Sequence, residues 1–375
     1  MITGHGGNRN ELALRIGCDP GDITDMSSNI NPLGPPPALM THIRSQLSVI
    51  EALPEADAAS LITDFAAHYR ISPETVLAGN GTTQFIYMLP LALKTRHPLV
   101  FGPTYADYAD ACAMHDISCG WEMAEEAALF QPDIGRATRS ISGADLVFIC
   151  NPNNPTGTLI PSGEMERLCR RFSDTLFVID ESYMPFVPTA EGETLIQRRL
   201  PNVIVLHSMS KIFAIPGLRV GFVIASPDII SRLRRFQLPW SVNALAQAAV
   251  RFLLRHVSAV EAHILKSRAY ISSEMRQLSA SLAGIPGMIS FPGAASFCLV
   301  KLPAPFSAEK VYHYLGEKRI LIRKCSNFFG LSNRFIRISL KETPANHAVV
   351  EMLRNFCSTR MEEIAETITL TGQVF

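Results

Sequence analysis

Short apolar runs rich in β-branched residues, each ending abruptly at polar ones, constrain this chain most. Residues 146–150 run into Asn151-Pro152-Asn153-Asn154-Pro155-Thr156-Gly157, residues 176–179 end at Asp180-Glu181, and residues 203–206 lead to Ser208-Met209-Ser210-Lys211. A strand with one wet face alternates polar and apolar residues. These do not, so both faces are buried, as in a mostly parallel sheet covered by helices. Residues 75–78, 98–101 and 220–225 read as further strands, and 58–68, 84–93 and 164–172 as helices. In such α/β sheets, ligands bind beyond the carboxyl ends of the strands. Asn154, Asp180 and Lys211 all fall there.

The remaining sequence sets the limits. The chain has 375 residues, 47% hydrophobic and 18% charged, enough for a large core and two domains. Its 34 basic and 34 acidic residues cancel, and no basic stripe points to nucleic acid. The longest apolar runs, such as 85–93, are too short to span a bilayer, and residues 1–10 lack a signal-peptide core, so a cytoplasmic protein is expected. Eight cysteines form no CxxC pair, and the histidines show no metal-ligand spacing. Residues 1–40, rich in Gly, Pro and Asn, read as an arm with little periodic structure. Residues 41–283 form the expected large domain, helical from 228 onward. Residues 284–375 form a smaller α+β domain with strands at 297–302, 320–323 and 334–340, and the tail 361–375 carries no readable signal.

Lys211 carries the sharpest chemistry. A lysine at the end of a buried strand is poorly hydrated, so its pKa falls and its amine becomes a nucleophile suited to Schiff-base formation. Hydroxyls at Ser208 and Ser210 and the cation at Arg219 could grip a phosphate beside it. Lysine plus phosphate grip suggests pyridoxal phosphate. That cofactor needs a carboxylate to keep its ring nitrogen protonated, and Asp180 fits. Asn154 and Tyr183 could donate to its phenolic oxygen, and Tyr105 could stack on its ring. Gly81-Thr82-Thr83, opening an apolar helix, could cradle the phosphate with backbone N–H groups, one threonine capping the helix. A substrate carboxylate calls for a planar bidentate cation, and Arg337 and Arg323 lie on apolar runs of the C-terminal segment. Each signal alone has a bland reading: a loop tyrosine, an aspartate cap, a surface arginine. Their common order along one chain is far more specific.

Taken together, the glycine loop, Asn-Pro-Thr-Gly, Asp-x-x-Tyr, Ser-x-Ser-Lys, the arginine eight residues on and the C-terminal Ile-Arg segments resemble the fold-type-I pyridoxal-phosphate enzymes of the class I/II aminotransferase family. That resemblance implies an α/β large domain with a seven-stranded sheet, a smaller α+β domain and a homodimer. His5-Gly6-Gly7-Asn8, Ser28-Asn29-Ile30-Asn31-Pro32-Leu33-Gly34, Leu238-Pro239-Trp240-Ser241-Val242-Asn243-Ala244 and Arg323 before Cys325-Ser326-Asn327 are most similar to the threonine-phosphate decarboxylases of cobalamin biosynthesis, themselves related to histidinol-phosphate aminotransferases. The resemblance implies that His5, Gly6, Asn31 and Arg323 help hold a substrate phosphate, while Asn154 and Arg337 hold its carboxylate. Two positions depart from the pattern: Leu53 replaces a tyrosine that commonly reaches the neighbouring subunit's cofactor phosphate, and Thr82 replaces a glutamate. The expected partner is a small phosphorylated amino acid, with no nucleic acid and no membrane. Two alternatives stand beside the decarboxylase: a histidinol-phosphate-type aminotransferase and a non-catalytic cofactor-binding regulator.

Overall fold

The computed structural model describes residues 6–371. Seven strands form the central sheet: β1 (Val76–Gly79), β2 (Pro98–Gly102), β3 (Gly120–Met123), β4 (Leu146–Cys150), β5 (Leu176–Asp180), β6 (Val203–His207) and β7 (Gly221–Ile224). Their spatial order is β1-β7-β6-β5-β4-β2-β3, with β7 antiparallel to both its neighbours and the other four pairings parallel. Every residue of β1, β2, β4, β6 and β7 is buried, as their unbroken apolar runs require. Helix Ala59–Tyr69 covers one part of the sheet, its Phe65 ring stacked on Phe222 of β7 with centroids 3.9 Å apart. Helix Gly81–Leu93 packs on β7 and on helices Asp107–Ala113 and Pro227–Arg234.

A second, antiparallel sheet has the order Arg323–Lys324, Phe335–Ser339, Phe297–Lys301, Ile289–Pro292. The run expected as one strand at 320–323 is two. Ile320–Leu321 pairs in parallel with Thr24–Asp25, whereas Arg323–Lys324 pairs with Phe335–Ser339. The split follows from partners: one short apolar run is claimed by two edges.

The N-terminal arm has more structure than its composition suggested. Helix Arg9–Ile16 starts with Asn8 accepting from Glu11 N, and it buries Leu12 and Ala13 against Ile23 and Leu321. Two buried positions in eight residues give too weak a period to read. Strand β3 and helices Asp107–Ala113 and Ile134–Ile141 also escaped the sequence reading. Among the described residues, no helix is long and apolar enough to cross a membrane.

Candidate active site

Strand register lines up the chemistry. Cys150, Asp180 and Leu206 are consecutive Cα partners across β4, β5 and β6, so the polar residues that follow these strands emerge at one edge. A cavity of about 750 Å³ opens there. Lys211, Asp180, Asn154, Tyr183, Tyr105, Thr82, Thr83, Gly6, Arg323 and Arg337 all line it. The segments that supply them span residues 6 to 337.

Asp180 is 4% exposed, and burial pushes its pKa up while Ser182, Tyr108 and Lys211 push it back. Its Oδ1 accepts from Ser182 N at 2.9 Å and its Oδ2 from the Tyr108 hydroxyl at 2.8 Å. Its neighbour Glu181 takes no part in the cavity: it accepts from Thr194 Oγ1 and Leu195 N, and burial lifts its pKa to about 7. Lys211 is lowered to about 8, first by burial and then by Arg219 and Arg337. Near neutrality it is therefore much closer to the free amine than an exposed lysine.

Arg337 and Arg323 are Cα partners on adjacent antiparallel strands. Arg337 donates to Asn154 Oδ1 and to Ser27 O, lies 5.3 Å from the Phe297 ring centroid, and its Nε is buried without a partner. Arg323 donates to Asn327 Oδ1 at 2.8 Å and lies over Phe328. Burial, then Arg337, lowers the Arg323 pKa to about 10. Like charges facing each other across strands are destabilising, and a buried N–H without a partner is costly. Both features point to anions in this cavity.

Other expected residues sit differently. Asn31 does not line the cavity: its amide donates to Ile212 O and Ser267 Oγ, both at 2.7 Å, and its backbone N–H donates to Lys211 O at 2.9 Å. It moors the arm to the lysine loop. Ser208 and Ser210 are buried off the cavity wall, with Ser210 Oγ donating to Val220 O at 3.1 Å. Arg219 lies off the wall too, its guanidinium against Gly81, where an added Cβ would come within 2.6 Å of Nη2. Neither threonine caps helix Gly81–Leu93: they occupy its first turn, and Asn80 is the cap residue, with no side-chain bond. His5 lies outside the described residues. Leu53 is 77% exposed and does not line the cavity.

The sequence reading also missed residues. Tyr108 reaches Asp180, and Asn29 donates to the Tyr183 hydroxyl at 3.1 Å while accepting from Ser339 Oγ. Arg9 and Lys341 add cations to the cavity wall. Asn29 lay in a motif already singled out, but nothing local separates it from a turn-former. Tyr108 follows Tyr105 by three residues, the one local hint that both share a face.

Sheet, cavity and lysine together define the fold-type-I pyridoxal-phosphate architecture. The family model Aminotransferase class I and II matches residues 21–353, and the chain belongs to that family. It is 31% identical over 367 residues to the threonine-phosphate decarboxylase of Salmonella typhimurium, covering 94% of this chain and 96% of that one. It is 30% identical to a histidinol-phosphate aminotransferase of Moorella thermoacetica, over 89% of this chain and 85% of the relative. The solved L-threonine-O-3-phosphate decarboxylase of Porphyromonas gingivalis has a TM-score of 0.81 at 30% identity, covering 88% of this chain and 98% of that one.

The residues present fit the family's cofactor. Asp180 is a buried carboxylate facing the cavity with no cationic side chain bonded to it, and a protonated ring nitrogen would compensate it. The helix start at Gly81 brings backbone N–H groups to the same cavity edge, since Thr82 and Thr83 line it.

Proposed function

We propose that this protein is a pyridoxal-phosphate-dependent lyase that decarboxylates O-phospho-L-threonine or O-phospho-L-serine to the aminoalcohol phosphate in cobamide biosynthesis. The observation that carries this reading is the pair Arg337 and Arg323, two cations facing each other in one cavity with Lys211 and Asp180. A substrate with a carboxylate at one end and a phosphate at the other answers both. The similarity to two threonine-phosphate decarboxylases supports the same choice.

Held through Lys211, the cofactor would supply an aldehyde carbon for the substrate amine and a cationic ring to take up the electron pair left at Cα. Asp180 would keep that ring's nitrogen protonated, and Tyr183 and Asn154 would hold its phenolic oxygen. The helix start at Gly81 and the threonines would hold its phosphate. Arg337 grips the carboxylate and Arg323 the substrate phosphate. Fixing both ends would set the rotation about Cα and so which bond at Cα is presented for cleavage. Arg337's hold on the carboxylate would present the Cα–carboxyl bond, with CO2 as the leaving group. Lys211 would return a proton to Cα.

We further propose a cytoplasmic homodimer. Leu91, Met114, Phe236, Leu238 and Trp240 are each 42–71% exposed around one apolar groove, a surface that a second copy would cover. Eight free cysteines suit a reducing compartment.

Purified protein given O-phosphothreonine is expected to release CO2 and the aminoalcohol phosphate in equal amounts. Histidinol phosphate with 2-oxoglutarate is expected to give no glutamate. Fast glutamate formation without CO2 release would make the protein an aminotransferase, the activity of its other relatives.

A further inference from the structure

The Tyr108 hydroxyl is a buried polar group that packing alone does not explain. Tyr108 lies on helix Asp107–Ala113, is 1% exposed, and stacks on Phe148 of β4 with centroids 5.3 Å and planes 17° apart. A phenylalanine would fill the same space. Burying the extra O–H costs free energy unless it is bonded, and its partner is Asp180 Oδ2 at 2.8 Å. Tyr105 lies edge-on to the same ring at 5.8 Å, so helix and aromatic neighbours together aim the hydroxyl.

We propose that Tyr108 is the positioning residue that keeps Asp180 ionised and oriented, and thereby keeps the proton on the cofactor's ring nitrogen. This rests on the pyridoxal-phosphate reading above. Tyr108 acts through Asp180. Its effect is on where one proton resides. A buried carboxylate and a pyridine nitrogen compete for that proton, and the more basic of the two holds it. Burial raises the basicity of Asp180. Donors to the carboxylate oxygens lower it. Ser182 supplies donors from its backbone N–H and its side chain, and Tyr108 supplies its hydroxyl from the helix on the other side. Without the Tyr108 donor the proton shifts toward Asp180, the ring loses positive charge, and the electron sink weakens. Burial and the Asp180 charge hold the Tyr108 hydroxyl well above its ordinary pKa, so it stays an O–H donor across the working range.

Tyr108→Phe removes the donor and leaves the ring. Apo protein titrated with pyridoxal phosphate is expected to bind it about tenfold more weakly in the variant, the effect of losing a hydrogen bond to a charged group. With cofactor labelled by 15N in the ring, the variant's nitrogen resonance at a given pH is expected to lie further toward the unprotonated position than the wild type's. Replacing Tyr108 by a fluorinated tyrosine, a stronger donor of nearly the same shape, is expected to move that resonance the other way. A protonated nitrogen in both variants over the wild-type pH range, with unchanged affinity, would overturn the inference and leave the cofactor reading intact. Wild-type protein that captures no pyridoxal phosphate at Lys211 would overturn both. If Tyr108→Phe fails to fold, the fluorinated protein alone decides, because only a proton-holding role moves the 15N resonance.

Discussion

Lys211, Arg337 and Asp180 each gain their character from where the fold puts them. Burial lowers the Lys211 pKa to about 8, so its amine deprotonates as pH rises through that value. The rate at which apo protein captures pyridoxal phosphate, followed by absorbance, is expected to climb across the same range and level off above it. A rate that fell between pH 7 and 9 would contradict this. Arg337 already uses two donors on Asn154 and Ser27, and its Nε is the buried group left over. Arg337→Lys keeps a charge but loses the planar fork. It is expected to cost about 2 kcal/mol of substrate recognition, roughly thirtyfold in kcat/KM, measured by CO2 release. Lys211 was readable because it follows an apolar run, and Arg337 because it interrupts one. Tyr108 was not, because a hydroxyl aimed at an aspartate 72 residues away leaves no local mark.

Among the elements, the start of helix Gly81–Leu93 is a tight junction. A Cβ at Gly221, the first residue of β7, would come within 2.5 Å of Thr82 N. Gly221→Ala must push the helix start away from the sheet, at about 1–3 kcal/mol of stability. Pyridoxal phosphate affinity is expected to fall with it, while Gly217→Ala, with open space at its Cβ, serves as the control in thermal melts and titrations. The arm helix Arg9–Ile16 is held by few buried side chains. Leu12→Ala is expected to cost about 2–3 kcal/mol locally, seen as faster hydrogen exchange at residues 24–25 and 320–321 without loss of the central sheet. The unbroken apolar runs of β4, β5 and β6 were legible because a parallel strand buried on both faces has no other composition. The arm helix was not, because two buried residues set no period and one of their partners, Leu321, lies some three hundred positions away.

At the scale of the whole molecule, the groove beside helix Gly81–Leu93 is where the proposed homodimer is open to test. Leu238→Glu places a charge where 71% of an apolar side chain now meets solvent. A lone chain tolerates that at near-zero cost, whereas a dimer buried there must desolvate the carboxylate. Light scattering is expected to show a dimer for the natural protein and monomers for the variant. Monomers for both would remove the homodimer proposal.

The sequence alone determined six of the seven strands of the sheet, the lysine, its carboxylate and the order of the motifs, because burial on both faces and strand-end placement are local properties of composition. Tertiary structure alone decided which groups meet in the cavity. It turned Asn31 into a mooring for the lysine loop, set Arg323 opposite Arg337, brought Asn29 to Tyr183 and aimed Tyr108 at Asp180. Those are pairings between segments far apart in the chain. They depend on strand register and crossover geometry, which no single stretch of residues encodes.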